Sequence, residues 1–280
     1  MKIERILNTS TAFLKQHNIN NPSFDSEILL SKTINKDRKF VITNPNTNLK
    51  NEDVVKFNSL IERRCKGEPV AYLINQKEFW KYSFYVNKNV LIPRPDTELI
   101  IEQILKLYSK CRRLQILDIG TGSGCIILSL LKERINFKGI GIDISKQSIK
   151  ISKYNAKMLN LSNRIKFYNS DVDNFKIGKY DIIVSNPPYI KFNDLKYLEN
   201  DVAHFEPKMA LSGGFDGFSK IRKVINKAAS LIKKNGKLFL EIGFDQKETT
   251  KRLLMNKGFY INDVIKDYGK NNRCIISARI

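Results

Sequence analysis

The spacing of apolar and polar residues changes twice along the chain. Up to about residue 75, apolar residues such as Ile3, Ile6 and Leu14 recur at helical intervals without a strand pattern, which predicts a small helical domain. The stretch "EFWKYSFYVNKNVLI" then alternates aromatic and β-branched residues around "NKN", which predicts a β-hairpin. From about residue 114, strand-like runs alternate with helical periods. This alternation is typical of a doubly wound, mostly parallel α/β sheet.

These changes predict three parts: a helical domain over residues 1–75, a hairpin linker over 76–95 and an α/β domain over 96–280. The segment "SFDSEILLSKTI" predicts a helix capped near its start by Ser23 or Asp25. In "NEDVVKFNSLIERRCKG", acidic residues precede basic ones and Gly67 follows, which predicts a helix ending before that glycine. In "IPRPDTELIIEQILKLY", Asp96 or Thr97 is expected to cap a helix after two prolines.

The α/β part has strands in "LQILDIG", "KGIGIDIS", "RIKFYNSD", "YDIIVSN" and "GKLFLEIG", separated by helical segments. The two closing strands, "FYINDVIKD" and "RCIISARI", are joined by the short polar segment "YGKNN". Parallel strands need a long crossover, so at least one closing strand is expected to run antiparallel.

A glycine-rich loop follows the first strand of this sheet. "LDIGTGSGC" places Gly120, Gly122 and Gly124 where the backbone must turn sharply and approach a ligand. A dinucleotide fingerprint would need a further glycine where Cys125 stands. Asp143, at the end of the next strand, is placed to accept hydrogen bonds from ribose hydroxyls. Such a loop can also be plain tight packing, but with Asp143 and an antiparallel closing strand it favours a class I S-adenosylmethionine methyltransferase over a generic Rossmann domain. Asp118 is expected to hold the loop backbone or an ammonium group.

The second candidate motif is "VSNPPYI", after the buried run "YDIIV". Asn186 offers a side-chain carbonyl, and the carbonyls of Pro187 and Pro188 add acceptors. Such an acceptor-rich loop suits a planar –NH2 group, and Tyr189 supplies a flat face for stacking. A proline-stiffened turn is the simpler interpretation, but it does not explain this combination beside a methyl-donor loop. The motif resembles the (Asn/Asp/Ser)-Pro-Pro-aromatic signature of methyltransferases that act on amide or exocyclic nitrogens.

Composition restricts the classes of protein that the chain can belong to but does not indicate a function. The net charge is +21, from 49 basic and 28 acidic residues. This charge suits a polyanionic partner, yet the lysines are spread along the chain and equally reflect a composition rich in Lys, Asn and Ile. Cys65, Cys111, Cys125 and Cys274 form no CxxC pair, so reduced thiols in a cytoplasmic protein are expected, with neither a disulfide framework nor a metal site. No apolar run of about 18 residues predicts a membrane span.

Longer segments of the chain narrow the resemblance to one family of methyltransferases. "GEPVAYLINQKEFW", "VLIPRPDTELIIE", "FEPKMALSGGFDGFSKIRKVI" and "LFLEIGFDQ" together resemble the bacterial peptide chain release factor N5-glutamine methyltransferase family (HemK/PrmC), from about residue 3 to 280. The resemblance implies transfer of a methyl group from S-adenosylmethionine to the glutamine of the Gly-Gly-Gln motif in class 1 release factors, with the ribosome as a further candidate partner.

The resemblance also assigns residues. The donor loop falls on Gly120, Thr121, Gly122, Ser123 and Gly124, the ribose-binding acid on Asp143, and the amide-binding motif on Asn186, Pro187, Pro188 and Tyr189, with Asn186 also facing the donor. Asp171 and Val172 fall at the adenine position, where family members often carry an aromatic residue instead of Val172. His204 stands where an arginine is frequent, and we interpret it as a surface histidine.

Two alternatives remain open at this point. The first is a DNA or RNA adenine N6-methyltransferase, which the net charge of +21 suits. The second is a non-catalytic RNA-binding module with a vestigial fold, against which the intact glycine loop, Asn186 and Tyr189 argue. The helical domain is expected to hold the protein substrate, helped by basic clusters at Lys36, Arg38 and Lys39 and at Arg63, Arg64 and Lys66.

Overall fold

The computed structural model describes residues 1–108 and 112–279. They form two compact units, Met1–Gln76 with Glu199–Phe205 and Lys77–Leu198 with Glu206–Ile280. Cys65, Cys125 and Cys274 are free thiols, and Cys111 lies outside the described residues. None of the helices in the described ranges has the length and apolar character needed to cross a bilayer.

The smaller unit is helical. Leu14, Leu29, Leu30, Phe57 and Ile61 form the centre of its apolar core and are almost fully buried. Its helices are α1 (Ile3–Gln16), α2 (Pro22–Thr33), α3 (Arg38–Thr43), α4 (Asn51–Cys65), α5 (Val70–Leu73) and, from later in the chain, α9 (Asn200–Phe205).

The predicted cap of α2 is wrong. Asn21 is the N-cap residue, and its side chain makes no capping hydrogen bond. Pro22 occupies the first turn, where its missing N–H leaves one donor fewer to satisfy. Ser23 instead donates to Glu27 Oε1 at 3.0 Å, while Asp25 is buried and bonds to Arg64 Nε at 2.7 Å. Both side chains are therefore drawn to other partners.

A hairpin of β1 (Gln76–Phe79) and β2 (Tyr82–Tyr85) begins at the boundary between the two units, and from Lys77 onward it belongs to the larger unit. The turn lies at Trp80 and Lys81, so its expected position at "NKN" is wrong. Trp80 has a left-handed backbone (φ +58°). Its N–H donates to Glu98 Oε1 at 2.7 Å and its indole N–H donates to Glu133 Oε1 at 2.9 Å. These tertiary hydrogen bonds fix a conformation that a tryptophan rarely adopts by itself.

The main sheet of the described residues has seven strands in the order β5-β4-β3-β6-β7-β9-β8. Strands β3 to β7 pair in parallel, while β9 runs antiparallel to both β7 and β8. This arrangement confirms the predicted fold class. The strands are β3 (Leu114–Ile119), β4 (Phe137–Asp143), β5 (Ile165–Asn169), β6 (Tyr180–Ser185), β7 (Ile232–Glu241), β8 (Phe259–Lys266) and β9 (Asn272–Arg279).

Helices cover both faces of this sheet, which explains why its central strands are apolar on both sides. In β3, Ile116 packs into one apolar cluster and its neighbour Leu117 into another. The remaining helices are α6 (Glu98–Leu107), α7 (Cys125–Glu133), α8 (Lys146–Met158), α10 (Lys208–Leu211), α11 (Ser219–Leu231) and α12 (Lys247–Met255), with 3₁₀ turns at Pro95–Thr97, Val172–Asn174 and Phe192–Tyr197.

Candidate active site

A cavity of about 360 Å³ lies in the larger unit at the carboxyl ends of β3, β4 and β6. The chain changes direction across the sheet here, because β3 pairs with β4 on one side and with β6 on the other. Open α/β sheets bind ligands at such switch points. The volume lies within the range of small-molecule sites, about 300–1,000 Å³.

Only some residues of the glycine loop line the cavity; the others pack into the surrounding structure. Gly120 and Gly122 line the cavity, and a Cβ on either would meet no atom within 4 Å. Both have positive φ, +76° and +55°, which favours glycine. Thr121, Ser123 and Gly124 are not among the described residues that line the cavity. Thr121 and Ser123 are buried, and a Cβ on Gly124 would come within 2.9 Å of the Leu128 side chain.

Asp143 supports the loop and faces the cavity at once. Its Oδ2 accepts from the Gly122 N–H at 2.9 Å and its Oδ1 from the Ser145 N–H at 2.8 Å. Each carboxylate oxygen keeps a second lone pair for a bound hydroxyl. Burial raises the pKa of Asp143, and the N–H groups of Ser145 and Gly122 partly counter that rise.

Asp118 lies buried beneath the same loop. Its Oδ2 accepts from the Thr121 hydroxyl at 2.7 Å, so its described contact is with a side chain of the loop rather than the loop backbone. Its Oδ1 is buried and has no hydrogen-bond partner among the described residues. Burial raises the pKa of Asp118 to about 7, the Thr121 hydroxyl opposes this rise, and the charge of Asp143 adds to it.

Asp171 and Val172 also line the cavity. Asp171 Oδ1 accepts from the Asp173 N–H at 2.8 Å, and the Lys223 ammonium lies 3.9 Å from that oxygen. Lys223 forms its closer ion pair with Asp173. At the neighbouring position, the Val172 side chain gives the cavity an apolar surface, where members of the resembled family often carry an aromatic ring.

The Asn-Pro-Pro-Tyr loop contributes Asn186, Pro187 and Pro188 to the cavity wall. The Asn186 Nδ2 donates to the hydroxyl of Thr97 at 3.0 Å. Tyr189 is not among the described residues that line the cavity, and its ring packs against an apolar cluster of the sheet. Burial raises the pKa of Tyr189 to about 12, and the charge of Glu241 contributes to this rise.

Two residues that contact the Tyr189 backbone, Gln246 and Gly213, were not predicted from the sequence. Gln246 is buried, donates to the carbonyl oxygens of Tyr189 (3.0 Å) and Gly217 (3.1 Å), and accepts from the Gly243 N–H (2.9 Å). A Cβ on Gly213 would lie 2.8 Å from the Tyr189 Cα. The close glycines of "GGFDG" were a usable signal for such backbone contact, whereas nothing local marks Gln246.

A third missed contribution comes from "NKN". Lys88, Asn89 and Val90 line the cavity. They lie in a local turn, which the Val90 N–H closes by donating to the Asn87 carbonyl at 3.1 Å. His204, by contrast, belongs to the smaller unit and is exposed, as expected for a surface histidine.

Two family models match the chain, and known proteins are similar to it. The family model described as "PrmC N-terminal domain" matches residues 5–74, and the model described as "Methyltransferase domain" matches residues 110–271. The chain is 40% identical over 262 residues to the release factor glutamine methyltransferase of Buchnera aphidicola subsp. Schizaphis graminum, with 94% of each chain covered.

Two further similarities are more limited. The chain is 35% identical to the bifunctional methyltransferase of Rickettsia conorii, covering 99% of this chain and spanning 58% of that protein's length. A methyltransferase structure from Pyrococcus furiosus is similar with a TM-score of 0.52 at 20% identity, covering 70% of this chain and 88% of the other. This last similarity supports the fold alone.

Proposed function

The chain belongs to the family of release factor glutamine methyltransferases, and we propose that it methylates the side-chain amide nitrogen of the glutamine in the Gly-Gly-Gln motif of class 1 release factors. The observation that carries this proposal is one cavity with two different walls. Gly120, Gly122 and Asp143 line the part of the cavity suited to a nucleoside-bearing donor, and Asn186 and Pro187, which carry side-chain and backbone carbonyl acceptors, line another part.

The donor wall fits S-adenosylmethionine. Side chains on Gly120 or Gly122 would occupy the cavity, and Asp143 can accept from ribose hydroxyls. When bound, S-adenosylmethionine supplies an electrophilic methyl group on a sulfonium. Asp171 and Val172 are proposed to contact its adenine, while Thr121, Ser123 and Gly124 hold the loop from behind.

The acceptor wall addresses the chemical difficulty of the reaction. An amide nitrogen is a poor nucleophile because its lone pair is delocalised into the carbonyl. We infer that Asn186 Oδ1 and the Pro187 carbonyl accept its two N–H bonds, while Pro188 and Tyr189 fix the loop. The nitrogen is then aligned to form the new N–C bond as the sulfur–methyl bond breaks, and its surplus proton leaves to water. Alignment of this kind is worth about 7–11 kcal/mol in favourable systems.

The direct test is labelled methyl transfer from S-adenosylmethionine to purified release factors, compared with DNA and RNA. We expect label on the release factor, at the glutamine of its Gly-Gly-Gln motif by mass spectrometry. A release factor carrying Ala in place of that glutamine is the matched control and should stay unlabelled. Label on adenine with none on protein would instead support the nucleic-acid alternative.

The donor wall makes a prediction for cofactor affinity. Gly122→Val places two methyl groups in the cavity at a residue with positive φ, and Asp143→Ala removes a charged acceptor that also holds the Gly122 N–H. We expect each to weaken S-adenosylmethionine binding by about 1–3 kcal/mol, measured by calorimetry. Asp263→Ala, which removes an exposed carboxylate on β8, is the control. Unchanged S-adenosylmethionine affinity in both cavity variants would contradict the assignment of the donor site to this loop.

We also propose that the helical part, residues 1–75, recognises the protein substrate. One glutamine side chain offers little surface for selection, whereas a docked protein buries on the order of 1,200–2,000 Å². The expected basic clusters are partly neutralised, because Arg38, Arg63 and Arg64 pair with Glu27, Glu68 and Asp25. The exposed ammonium groups of Lys36, Lys39 and Lys66 are the better candidates for electrostatic attraction.

A chain lacking residues 1–76 tests this role. We expect it to bind S-adenosylmethionine, because the cavity lies within the larger unit. Its kcat/KM for intact release factor should fall about tenfold or more, because contacts outside the cavity are lost. A short Gly-Gly-Gln peptide, which is too small to use a docking surface, should be methylated equally by both chains. An unchanged kcat/KM for the whole release factor would leave the helical part without a recognition role.

A further inference from the structure

Three phenylalanines of the larger unit have strongly exposed side chains. Phe192, Phe215 and Phe244, which we call the rim phenylalanines, are 63%, 85% and 65% exposed. A single exposed apolar side chain is normal in a folded protein, whereas several grouped together mark an interaction surface. The importance of these three residues therefore depends on whether they lie near one another.

Contacts made by neighbouring residues place the rim phenylalanines around Tyr189 of the Asn-Pro-Pro-Tyr loop. The first of them follows Tyr189 by three positions. Phe215 follows Gly213 by two positions, and a Cβ on Gly213 would lie 2.8 Å from the Tyr189 Cα. Phe244 directly follows Gly243, where a Cβ would lie 3.4 Å from Cδ2 of the Tyr189 ring. Because neighbouring Cα atoms are about 3.8 Å apart, all three lie within about 12 Å of Tyr189.

Hydrogen bonds and an ion pair hold the three segments together. The Phe192 N–H donates to the Gly214 carbonyl at 3.0 Å, which joins the first segment to the second. The Lys191 ammonium lies 2.8 Å from Asp245 Oδ2, which joins the first segment to the third. The buried Gln246 side chain connects the loop to both of the other segments. A surface on a fixed backbone loses little conformational entropy when it binds a partner.

The rim phenylalanines lie beside the cavity. Pro188 lines the cavity and precedes Phe192 by four positions, a distance of at most about 14 Å in an extended chain. Met209 also lines the cavity and is 55% exposed. The Ile190 N–H donates to the Leu211 carbonyl at 3.2 Å, so the two segments run side by side away from the cavity. A polypeptide with one side chain in the cavity is thus within reach of the rim over about four of its residues.

The charged residues next in sequence to the rim phenylalanines are all paired. Lys191 pairs with Asp245, and Asp216 Oδ2 lies 2.5 Å from Arg222 Nη2. A nucleic-acid strand is held mainly by unpaired cations that neutralise its phosphates. Exposed aromatic side chains among paired charges are instead typical of a surface that binds protein. The local charge therefore favours a polypeptide as the occupant of this surface.

We propose that the rim phenylalanines bind the stretch of release factor on either side of the target glutamine. The inference rests on the proposed function and names the part of the partner that this surface takes, about four residues on each side of the glutamine. The two glycines that precede the glutamine have no side chains, so an aromatic ring can pack flat against the backbone there. This contact is separate from recognition by the helical part, because it requires only the larger unit.

Peptides of two lengths measure the contribution of the rim phenylalanines. The short peptide is a capped Gly-Gly-Gln, and the long peptide carries about four release factor residues on each side of the glutamine. In wild type, kcat/KM should be about tenfold or more higher for the long peptide than for the short one. In the triple variant Phe192→Ser, Phe215→Ser, Phe244→Ser, that ratio should fall to about one. An unchanged ratio in the triple variant would overturn the inference.

Tyr260→Ser supplies a matched control. Tyr260 is 60% exposed and stands near the start of β8, at the edge of the sheet opposite the cavity, so the control should keep the wild-type ratio. Each variant should melt at the wild-type temperature, because the replaced side chains are exposed. If the triple variant does not fold, Phe215→Ser alone should lower the ratio about twofold or more. An equal loss in the control would contradict a specific contact at the rim.

Binding measured without turnover separates this inference from the proposed function. In fluorescence anisotropy without S-adenosylmethionine, wild type should bind the labelled long peptide about tenfold more tightly than the triple variant does, with little dependence on salt. Equal binding by both chains would overturn the inference even if wild type methylates release factor. Weaker binding by the triple variant, in a protein that does not methylate release factor, would keep the contact and reject the proposed reaction.

A competition experiment tests the other class of occupant. Single-stranded RNA should not displace the labelled long peptide from wild type, because the charged neighbours of the rim phenylalanines are paired. Displacement that weakens steeply as salt is added, and that is lost in the triple variant, would assign the surface to a nucleic acid and overturn the inference.

Discussion

Replacing Asn186 with alanine should lower kcat for release factor methylation about 100-fold or more while leaving S-adenosylmethionine affinity within about twofold of wild type. Alanine removes the amide oxygen assigned to the substrate nitrogen, and misplacement of a reacting group by about 1 Å can cost a factor near 10². The glycine loop and Asp143 do not hydrogen-bond to Asn186, whose described partner is Thr97. A loss expressed mainly in kcat is typical of a contact made in the transition state.

Single-turnover transfer and calorimetry on the same preparation measure the two quantities. Asn262→Ala is a suitable control, because Asn262 is exposed and lies on β8, the edge strand of the sheet, rather than among the residues that line the cavity. A variant at position 186 that keeps near-normal turnover would remove Asn186 from the reaction. A parallel loss of donor affinity would place Asn186 mainly on the donor side.

Arg64→Met should destabilise the helical unit by about 3–5 kcal/mol, the cost of leaving one member of a buried ion pair alone. Arg64 Nε lies 2.7 Å from Asp25 Oδ2, and the two side chains are 11% and 9% exposed. Arg64 also donates to the Glu68 carbonyl at 3.2 Å. The pair joins α2 to the end of α4, so its loss should appear as faster amide exchange in both helices.

The neighbouring residue supplies a matched control. Arg63 pairs with Glu68 at 2.6 Å, but its side chain is 47% exposed, so Arg63→Met should cost less than about 1 kcal/mol. The double replacement Asp25→Leu with Arg64→Met should recover much of the lost stability, because it leaves no unpaired buried charge. Equal effects at positions 63 and 64 would contradict the importance of burial.

Much of the fold could be predicted because its signals are local. The run "LQILDIGTGSG" contains both a strand and the glycines that follow it, and these lie within β3 and the adjoining loop. The short connection between the last two strands correctly predicted antiparallel pairing. The hairpin turn at Trp80 could not be predicted in this way, because its partners Glu98 and Glu133 are 18 and 53 residues away.

The same difference between local signals and distant contacts applies to the candidate site. The candidate residues stand at the ends of strands or within three residues after them. Because the ends of parallel strands meet at one edge of the sheet, the approach of Gly120, Gly122, Asp143 and Asn186 to one cavity could be predicted. The hydrogen bond between Thr97 and Asn186 could not be predicted, because the two residues lie 89 positions apart and the neighbours of Thr97 resemble those of an ordinary helix cap. A local pattern shows which polar groups a residue has, but not which distant group will compete for them.

The position of β9 has a consequence for the protein's own synthesis. β9 follows every other described strand in the chain, yet it takes the place between β7 and β8, and its residues Cys274, Ile275 and Ile276 are buried. Until it emerges from the ribosome, the nascent sheet must expose the edge of β7, and exposed edges attract other chains. The synthesis of β9 should therefore convert an aggregation-prone nascent chain into a sheet in which the β7 edge is paired, and a pause in translation before β9 would prolong the exposed state.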